Sequence, residues 1–501
     1  MFAASLFSRL IGRALPRAQA AQERLPNLQA LPILSSDALS SVAYATEASL
    51  GVLILAGSSA LKQSLPITLA IIALIVIVVL SYRQAISAYP NGGGSYVVAR
   101  ENLGRNVSLV AAAALLIDYT LTAAVSLMAG TQALSSLLPS LLPHELSLSL
   151  LLLALVGWAN LRGLREAGRI FAIPTYVFVG MILLLTLVGV SDLSFQHGWT
   201  PEPPPLEAAL QPLGLFLILR AFSSGCSAMT GIEAISTGVQ VFREPAARNA
   251  RVTLLVMGGL LAAMLLAVTG LGFMYGIAPD SQVTVLAQIG IRVFGSGSIL
   301  FWLLQLSTLL ILVLAANTAF AGFPLLAAML AEDRCLPPQM RWLGDRLVYQ
   351  NGIGVLLAVS ALIIWICHGD TTVAVNLYAL GVFTAFTLSQ LGLVLHWWRL
   401  RGAGWQGRLV LSALGALSTF VVLLVIIVSK FTEGAWTVVI ALPLVVWGLA
   451  LIRRRSREVF ALLAPDPRME PLFLEPKAAL PNHHAIVWMA GLNQPSFEAV
   501  R

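Results

Sequence analysis

The chain reads as an all-α integral membrane protein of twelve transmembrane helices, arranged as two inverted five-helix repeats with interrupted first and sixth helices, plus two further spans. Three observations predict this. The 501 residues are 58% hydrophobic and only 11% charged, with a mean hydropathy of +0.86, whereas soluble domains carry about 25% charged residues. Of the thirty Lys and Arg, twenty-six fall on one side of the predicted spans, three on the other and one within a span. Two apolar segments five spans apart are broken by matching clusters of small and polar residues.

Apolar runs long enough to cross a hydrocarbon core of roughly 30 Å fall at 31–57, 65–88, 107–138, 145–161, 170–190, 212–240, 252–277, 294–322, 352–368, 372–398, 409–429 and 435–452. Basic loops face the cytosol. Placing both termini there puts the runs beginning at Arg83, Arg162, Arg243, Arg334 and Arg399 inside, together with "RRRSR" at the end of the last span. Only Lys62, Arg292 and Lys430 fall outside, and Arg220 lies within the sixth span. This placement explains the net charge of +7 and the pI of 9.6 as membrane topology in the cell membrane, without nucleic acid as a partner.

The N-terminal residues 1–30 are interrupted by Arg9, Arg13, Arg17 and Arg24. A signal peptide needs an unbroken apolar core of about 7–15 residues, so this segment reads as a cytosolic amphipathic arm. Residues 31–452 form the transporter domain and 453–501 a short cytosolic tail. Three scattered cysteines form no CxxC, which leaves no sign of a disulfide framework or a thiolate metal site.

The first interruption is "SSDALSSVAYATEA", Ser35–Ala48, and the sixth span answers with "SSGCSAMTGIEA", Ser223–Ala234. An odd repeat length inverts the second copy, and paired breaks of this kind mark the midplane site of a secondary transporter. Small residues also serve close helix packing, so any single Ser or Gly here carries little weight. The acids carry more. A carboxylate at mid-membrane costs about 2.5–3.5 kcal/mol on insertion scales, and the interior holds Asp37, Glu47, Asp118 and Glu233 against Arg220 alone. That balance favours a cation.

In "LLIDYTLTAAVS" of the third span, Tyr119, Thr122 and Ser126 share one helical face. Asp118 adjoins it about 100° away, as a supporting or gating residue. Thr230 and Glu233 lie three apart in the sixth span, and the tenth supplies Tyr378 in "VNLYALG". These hard oxygen donors suit alkali or alkaline-earth cations. "YPNGGGSY", Tyr89–Tyr96, lacks the preceding strand of a dinucleotide fingerprint and reads as a tight turn between spans. His483–His484 reads as a solvated pair.

Taken together, "SSDALSSVAYATEA", "YPNGGGSYVVARENLG", "LIDYTLT", "GRIFAIPTYVF" and "AFSSGCSAMTGIEAISTGVQVF" resemble the amino acid–polyamine–organocation (APC) superfamily, and within it the branch of KimA-type potassium importers. The resemblance spans about residues 30–455. It implies a LeuT-like fold and proton-coupled uptake of K+ with H+, without a cofactor. The ion-binding residues it implies are Asp37, Tyr44, Tyr119, Thr122, Ser126, Thr230, Glu233 and Tyr378, with Glu233 and Asp37 as carriers of the coupling proton and Asp118, Glu47 and Arg220 as secondary candidates. Related importers pair two subunits through a C-terminal domain that also binds a regulatory nucleotide. Here the tail ends at "HHAIVWMAGLNQPSFEAVR", which reads as the truncated start of such a domain. A homodimer therefore stays open and nucleotide regulation is in doubt.

Two other readings compete. An amino-acid permease needs backbone amides to hold the substrate carboxylate, and "SSDALSS" offers a repelling carboxylate and no glycine; a polyamine permease stays open. A non-transporting sensor would need an output domain. An enzyme would need a nucleophile–base pair, a metal cluster or a cofactor motif, and the sequence displays none.

Overall fold

The computed structural model describes residues 25–162, 168–280, 282–344, 346–402, 404–431 and 434–462. The amphipathic arm up to residue 24, the tail beyond 462 and the pair His483–His484 lie outside them.

Among the described residues sixteen α-helices follow in chain order. The first span is α1 (Asn27–Ser40) and α2 (Val42–Leu53); α3 (Ser64–Ala88) is the second. A short α4 (Ser95–Asn102) precedes the third span, α5 (Arg105–Leu137), and then come α6 (Glu145–Leu161) and α7 (Gly168–Asp192). The sixth span is α8 (Leu215–Gly225) and the single turn α9 (Ala234–Thr237), followed by α10 (Ala246–Met274). A second short helix, α11 (Val285–Phe294), precedes the eighth span, α12 (Ile299–Glu332). The rest are α13 (Gln350–Ile366), α14 (Thr371–Leu400), α15 (Trp405–Lys430) and α16 (Ala435–Leu462). No strand forms among the described residues; one isolated bridge joins Leu25 to Phe242.

Among the described residues eleven stretches are long and apolar enough to cross a membrane. The expected ninth span corresponds to α13, an apolar helix of 17 residues, about 25 Å at 1.5 Å per residue. Exposed Leu, Val, Ile and Trp cover the outward faces, among them Leu187, Val428 and Trp447. Long helices satisfy their own backbone hydrogen bonds, and apolar outward faces on them suit lipid as the solvent. The protein is an all-α, multi-pass membrane protein.

The two breaks differ in depth. In the first span the two helices meet at a single turn residue, Ser41, whose backbone stays in the right-handed helical region with φ −61° and ψ −20°. Ser40 Oγ donates to Asp37 O at 2.9 Å and Ser41 Oγ to Ala38 O at 2.6 Å; hydroxyls that compete for backbone carbonyls in this way loosen a helix. The sixth span unwinds properly. A 3₁₀ turn covers Cys226–Met229, Thr230 is extended (φ −62°, ψ 151°), and Gly231 has φ +75°. Glycine alone adopts that left-handed backbone without strain.

Two elements fall outside the sequence expectation. The triple glycine is followed by a helix, α4, and packs on the sixth span. Gly93 N donates to Ser236 O at 3.0 Å, and Ser236 Oγ returns a bond to Gly93 O at 3.0 Å. A Cβ on Gly94 would lie 2.7 Å from Thr237 Oγ1, and one on Gly92 2.9 Å from Thr237 O. The second is α11, in the loop before the eighth span, where the Thr284 hydroxyl caps Ala287 N at 3.3 Å.

Candidate functional site

The two breaks meet at the centre of the bundle. Ser41 Oγ of the first span also donates to Ala228 O of the sixth at 3.0 Å. Beside this link, the Asp37 side chain lies on the backbone of Gly231, so closely that a Cβ there would stand 2.6 Å from Asp37 Oδ2. Asp37 is buried, and its Oδ1 has no hydrogen-bond partner among the described residues.

The third and tenth spans close the pocket. Thr122 Oγ1 and the Tyr378 hydroxyl share a hydrogen bond of 2.7 Å. Tyr378 is wholly buried and faces the Asp37 carboxylate as well. Tyr44, two turns beyond Asp37, turns its hydroxyl toward Thr230 and Tyr378 but completes a bond with neither. Thr230 Oγ1 donates back to Ser227 O at 3.2 Å. Asp37, Tyr44, Thr122, Thr230 and Tyr378 therefore form one cluster contributed by four spans. Ser126 sits one turn beyond Thr122 on α5, buried, its hydroxyl also without a partner.

Asp118 is not turned away from this face. It is buried against Gly381, one turn along α14 from Tyr378, its Oδ1 is unpartnered, and it lies within electrostatic reach of Asp37 and Glu233. The reason is helical spacing: Asp118, Thr122 and Ser126 at i, i+4 and i+8 also define a continuous stripe. Tyr119 packs instead against the eighth span, where a Cβ on Gly322 would meet its ring at 2.6 Å.

Glu233 belongs to a neighbouring cluster. Its Oε2 accepts from Ser95 Oγ at 2.5 Å and from the Tyr82 hydroxyl at 3.2 Å, while Oε1 has no partner. Glu47 stands apart from both groups. Its Oε2 accepts from Val285 N at 3.2 Å, at the amino end of α11, where helix amides lack acceptors and the dipole favours an anion. Arg220 lies on α8 within electrostatic range of Lys430, away from the Asp37 pocket.

Lys430, expected in an outer loop, is instead the last residue of α15 and fully buried, its Nζ without a hydrogen-bond partner among the described residues. Tyr82 and Ser95 went unnoticed in the sequence because each looks like an ordinary residue of a span or turn. The serine directly after three glycines was the available signal.

Chemically, the Asp37 pocket concentrates oxygens that lack hydrogen-bond donors: Asp37 Oδ1, Tyr44 OH, Asp118 Oδ1 and Ser126 Oγ. Leaving such a group buried and unpaired costs about 1–3 kcal/mol, and a desolvated cation is a partner able to serve several at once. Among the described residues, no three His, Cys, Asp or Glu come together as a metal site.

Residues 33–450 match the family model described as amino acid permease, and the chain belongs to that family within the APC superfamily. It is a membrane permease and not an enzyme. In sequence it is 44% identical over 440 residues to the potassium transporter KimA of Bacillus subtilis (strain 168), an alignment that covers 87% of this chain and 72% of that protein.

Proposed function

We propose that the protein is a secondary transporter of the cell membrane that imports potassium with protons by alternating access, with both termini in the cytosol. The observation that carries this reading is the cluster of donor-poor oxygens around Asp37, joined by the Thr122–Tyr378 pair. Similarity to a potassium transporter supports it. Asp37 Oδ1 and the hydroxyls of Tyr44, Thr122, Ser126 and Tyr378 replace water around K+. Thr230 lines the unwound sixth span, and Tyr119 lines the approach from the eighth.

Glu233 is the better proton carrier of the two candidates. Two hydroxyls already hold one of its oxygens, so its orientation is set whichever proton state it takes. It also touches the second span and α4, so its proton state bears on how the sixth span is held against both. Asp37 holds the ion. Glu47 is a structural anchor for α11.

The test is uptake of rubidium, as a potassium tracer, into proteoliposomes with an imposed proton gradient, comparing wild type with Asp37→Asn. Uptake by wild type that Asp37→Asn abolishes supports the reading. Wild-type vesicles that accumulate a labelled amino acid or polyamine, and no rubidium, would identify a permease for organic substrates instead.

A further inference from the structure

At the arginine-rich end of the bundle lies a second concavity, separate from the Asp37 pocket. A cavity of about 280 Å³ opens between the first turn of α5, the end of α12 and the last turns of α16. Arg100, Arg105, Arg334, Arg453 and Arg457 line it, against the carboxylates of Glu332 and Asp333, which leaves a net charge of +3. One of the two carboxylates is already engaged. Asp333 Oδ2 accepts from Arg100 Nη1 at 2.7 Å and from the Tyr96 hydroxyl at 2.5 Å.

Arg453 is the informative member. It is only 8% exposed. Its Nη1 donates only to neutral, distant acceptors, Arg105 O at 3.3 Å and Asn106 Oδ1 at 3.5 Å. No carboxylate lies within ion-pair distance of it among the described residues. A buried charge without a counter-charge is strongly unfavourable, so this guanidinium calls for an anion. Basic residues that merely orient a membrane protein are solvated, and the orientation rule does not account for burying one.

The surroundings complete an anion site. Arg105, Arg453 and Arg457, with Asp333 among them, lie within electrostatic range of the Cys335 thiol, which lines the same cavity. The first turn of the 33-residue α5 lines the same cavity through Arg105 and Ser108. The amides of Arg105, Asn106 and Val107 precede the first intrahelical bond, which Ser108 N makes to Gly104 O at 3.1 Å, and lie at the positive end of the helix dipole, the arrangement that binds phosphate. Guanidiniums match phosphate oxygens in fork geometry. On α16 the basic residues follow an exposed apolar stripe, Leu444, Trp447 and Leu451, so the cavity sits where a lipid-facing surface ends. Basic pockets at that level hold anionic headgroups.

We infer that this cavity binds a phosphate group, carried either by an anionic lipid headgroup or by a soluble phosphate. Bound there, it bridges the end of α12 to α16 and, through Arg100, to α4, the helix whose Ser95 holds Glu233.

Thermal unfolding of the full chain tests this in two arms. One compares mixed micelles containing phosphatidylglycerol with micelles containing phosphatidylcholine. The other compares inorganic phosphate with chloride at equal ionic strength. A ligand that binds only the folded state raises the midpoint, so a rise of several degrees is expected in one arm. A rise with phosphatidylglycerol alone assigns the lipid; a rise with inorganic phosphate assigns the soluble anion. Arg453→Gln should remove the rise. Because that residue is buried and its variant can fail to fold, the exposed Arg457→Gln carries the same test and should at least halve the rise. No rise in either arm for wild type, or an undiminished rise in Arg457→Gln and in folded Arg453→Gln, overturns the inference.

Discussion

Ser95 Oγ donates to Glu233 Oε2 at 2.5 Å, and this bond ties the unwound sixth span to the helix that follows the triple glycine. The Tyr82 hydroxyl reaches both groups, Ser95 Oγ at 3.0 Å and Glu233 Oε2 at 3.2 Å. A carboxyl held by two hydroxyls on two other elements is placed to link its proton state to their positions. Glu233→Gln keeps the shape and removes the titration. Proton-driven rubidium uptake should fall by at least roughly tenfold, about 1.4 kcal/mol, and what remains should lose its dependence on external pH. Potassium should still raise the unfolding midpoint of this variant. A pH profile identical to that of wild type would remove Glu233 as the carrier.

Gly231→Ala tests the contact between the two breaks. Alanine at φ +75° is strained, and its Cβ would meet Asp37 at 2.6–2.8 Å. Strain of this kind costs about 1–3 kcal/mol. Thermal unfolding should show the loss, and potassium should no longer stabilise the variant because Asp37 is displaced. A wild-type midpoint with an intact potassium response would show that Asp37 does not depend on this glycine.

The glycines before α4 should differ in whether they can be rescued. In Gly94→Ala the new Cβ meets mainly the Thr237 hydroxyl, at 2.7 Å, and the Thr237 Cβ only at 3.5 Å. Adding Thr237→Ala should restore stability and uptake. In Gly92→Ala the obstacle is the backbone oxygen of Thr237 at 2.9 Å, with φ +100° besides, and the same second change should not help. Equal rescue of both would contradict the packing described for this loop.

Glu47→Gln should leave the pH profile of transport unchanged, since an amide oxygen can still accept from Val285 N. Glu47→Ala should cost about 0.5–2 kcal/mol, as loss of a helix cap does, measured by denaturation in detergent. A flattened pH profile in the glutamine variant would instead make Glu47 part of proton coupling.

Tyr378→Phe and Thr122→Val, singly and together, measure the bond that spans the pocket. Their coupling in potassium affinity should be about 0.5–1.5 kcal/mol, the net worth of a typical hydrogen bond. Strict additivity would indicate that the two hydroxyls act separately on the ion.

Much of the fold was legible in the sequence. Long apolar runs have one use in a chain of this composition, so the succession of apolar helices and an interruption within Ser223–Ala234 could be read directly. The short helices α4 and α11 could not. Each has ten residues or fewer, and hydropathy over a span-length window averages them into their neighbours. Lys430 was misplaced for a related reason: a charge at the end of a span looks like loop until packing shows where its stem goes.

The candidate site divides along the same line. Residue type alone marked Asp37, Glu47, Asp118 and Glu233, because a carboxylate in a membrane interior needs a reason to be there. By itself the sequence determined that acids lie within the apolar spans, that hydroxyl-bearing residues accompany them, and that the first and sixth spans carry matching clusters of small and polar residues. Only the tertiary structure decided which partners each acid meets. Asp37 faces Gly231 and Tyr378, Glu233 is bound by Ser95 and Tyr82, and Glu47 caps a helix 238 residues away in the chain. Those partners come from other spans, and spacing along one helix gives the direction of a side chain without saying what stands opposite it.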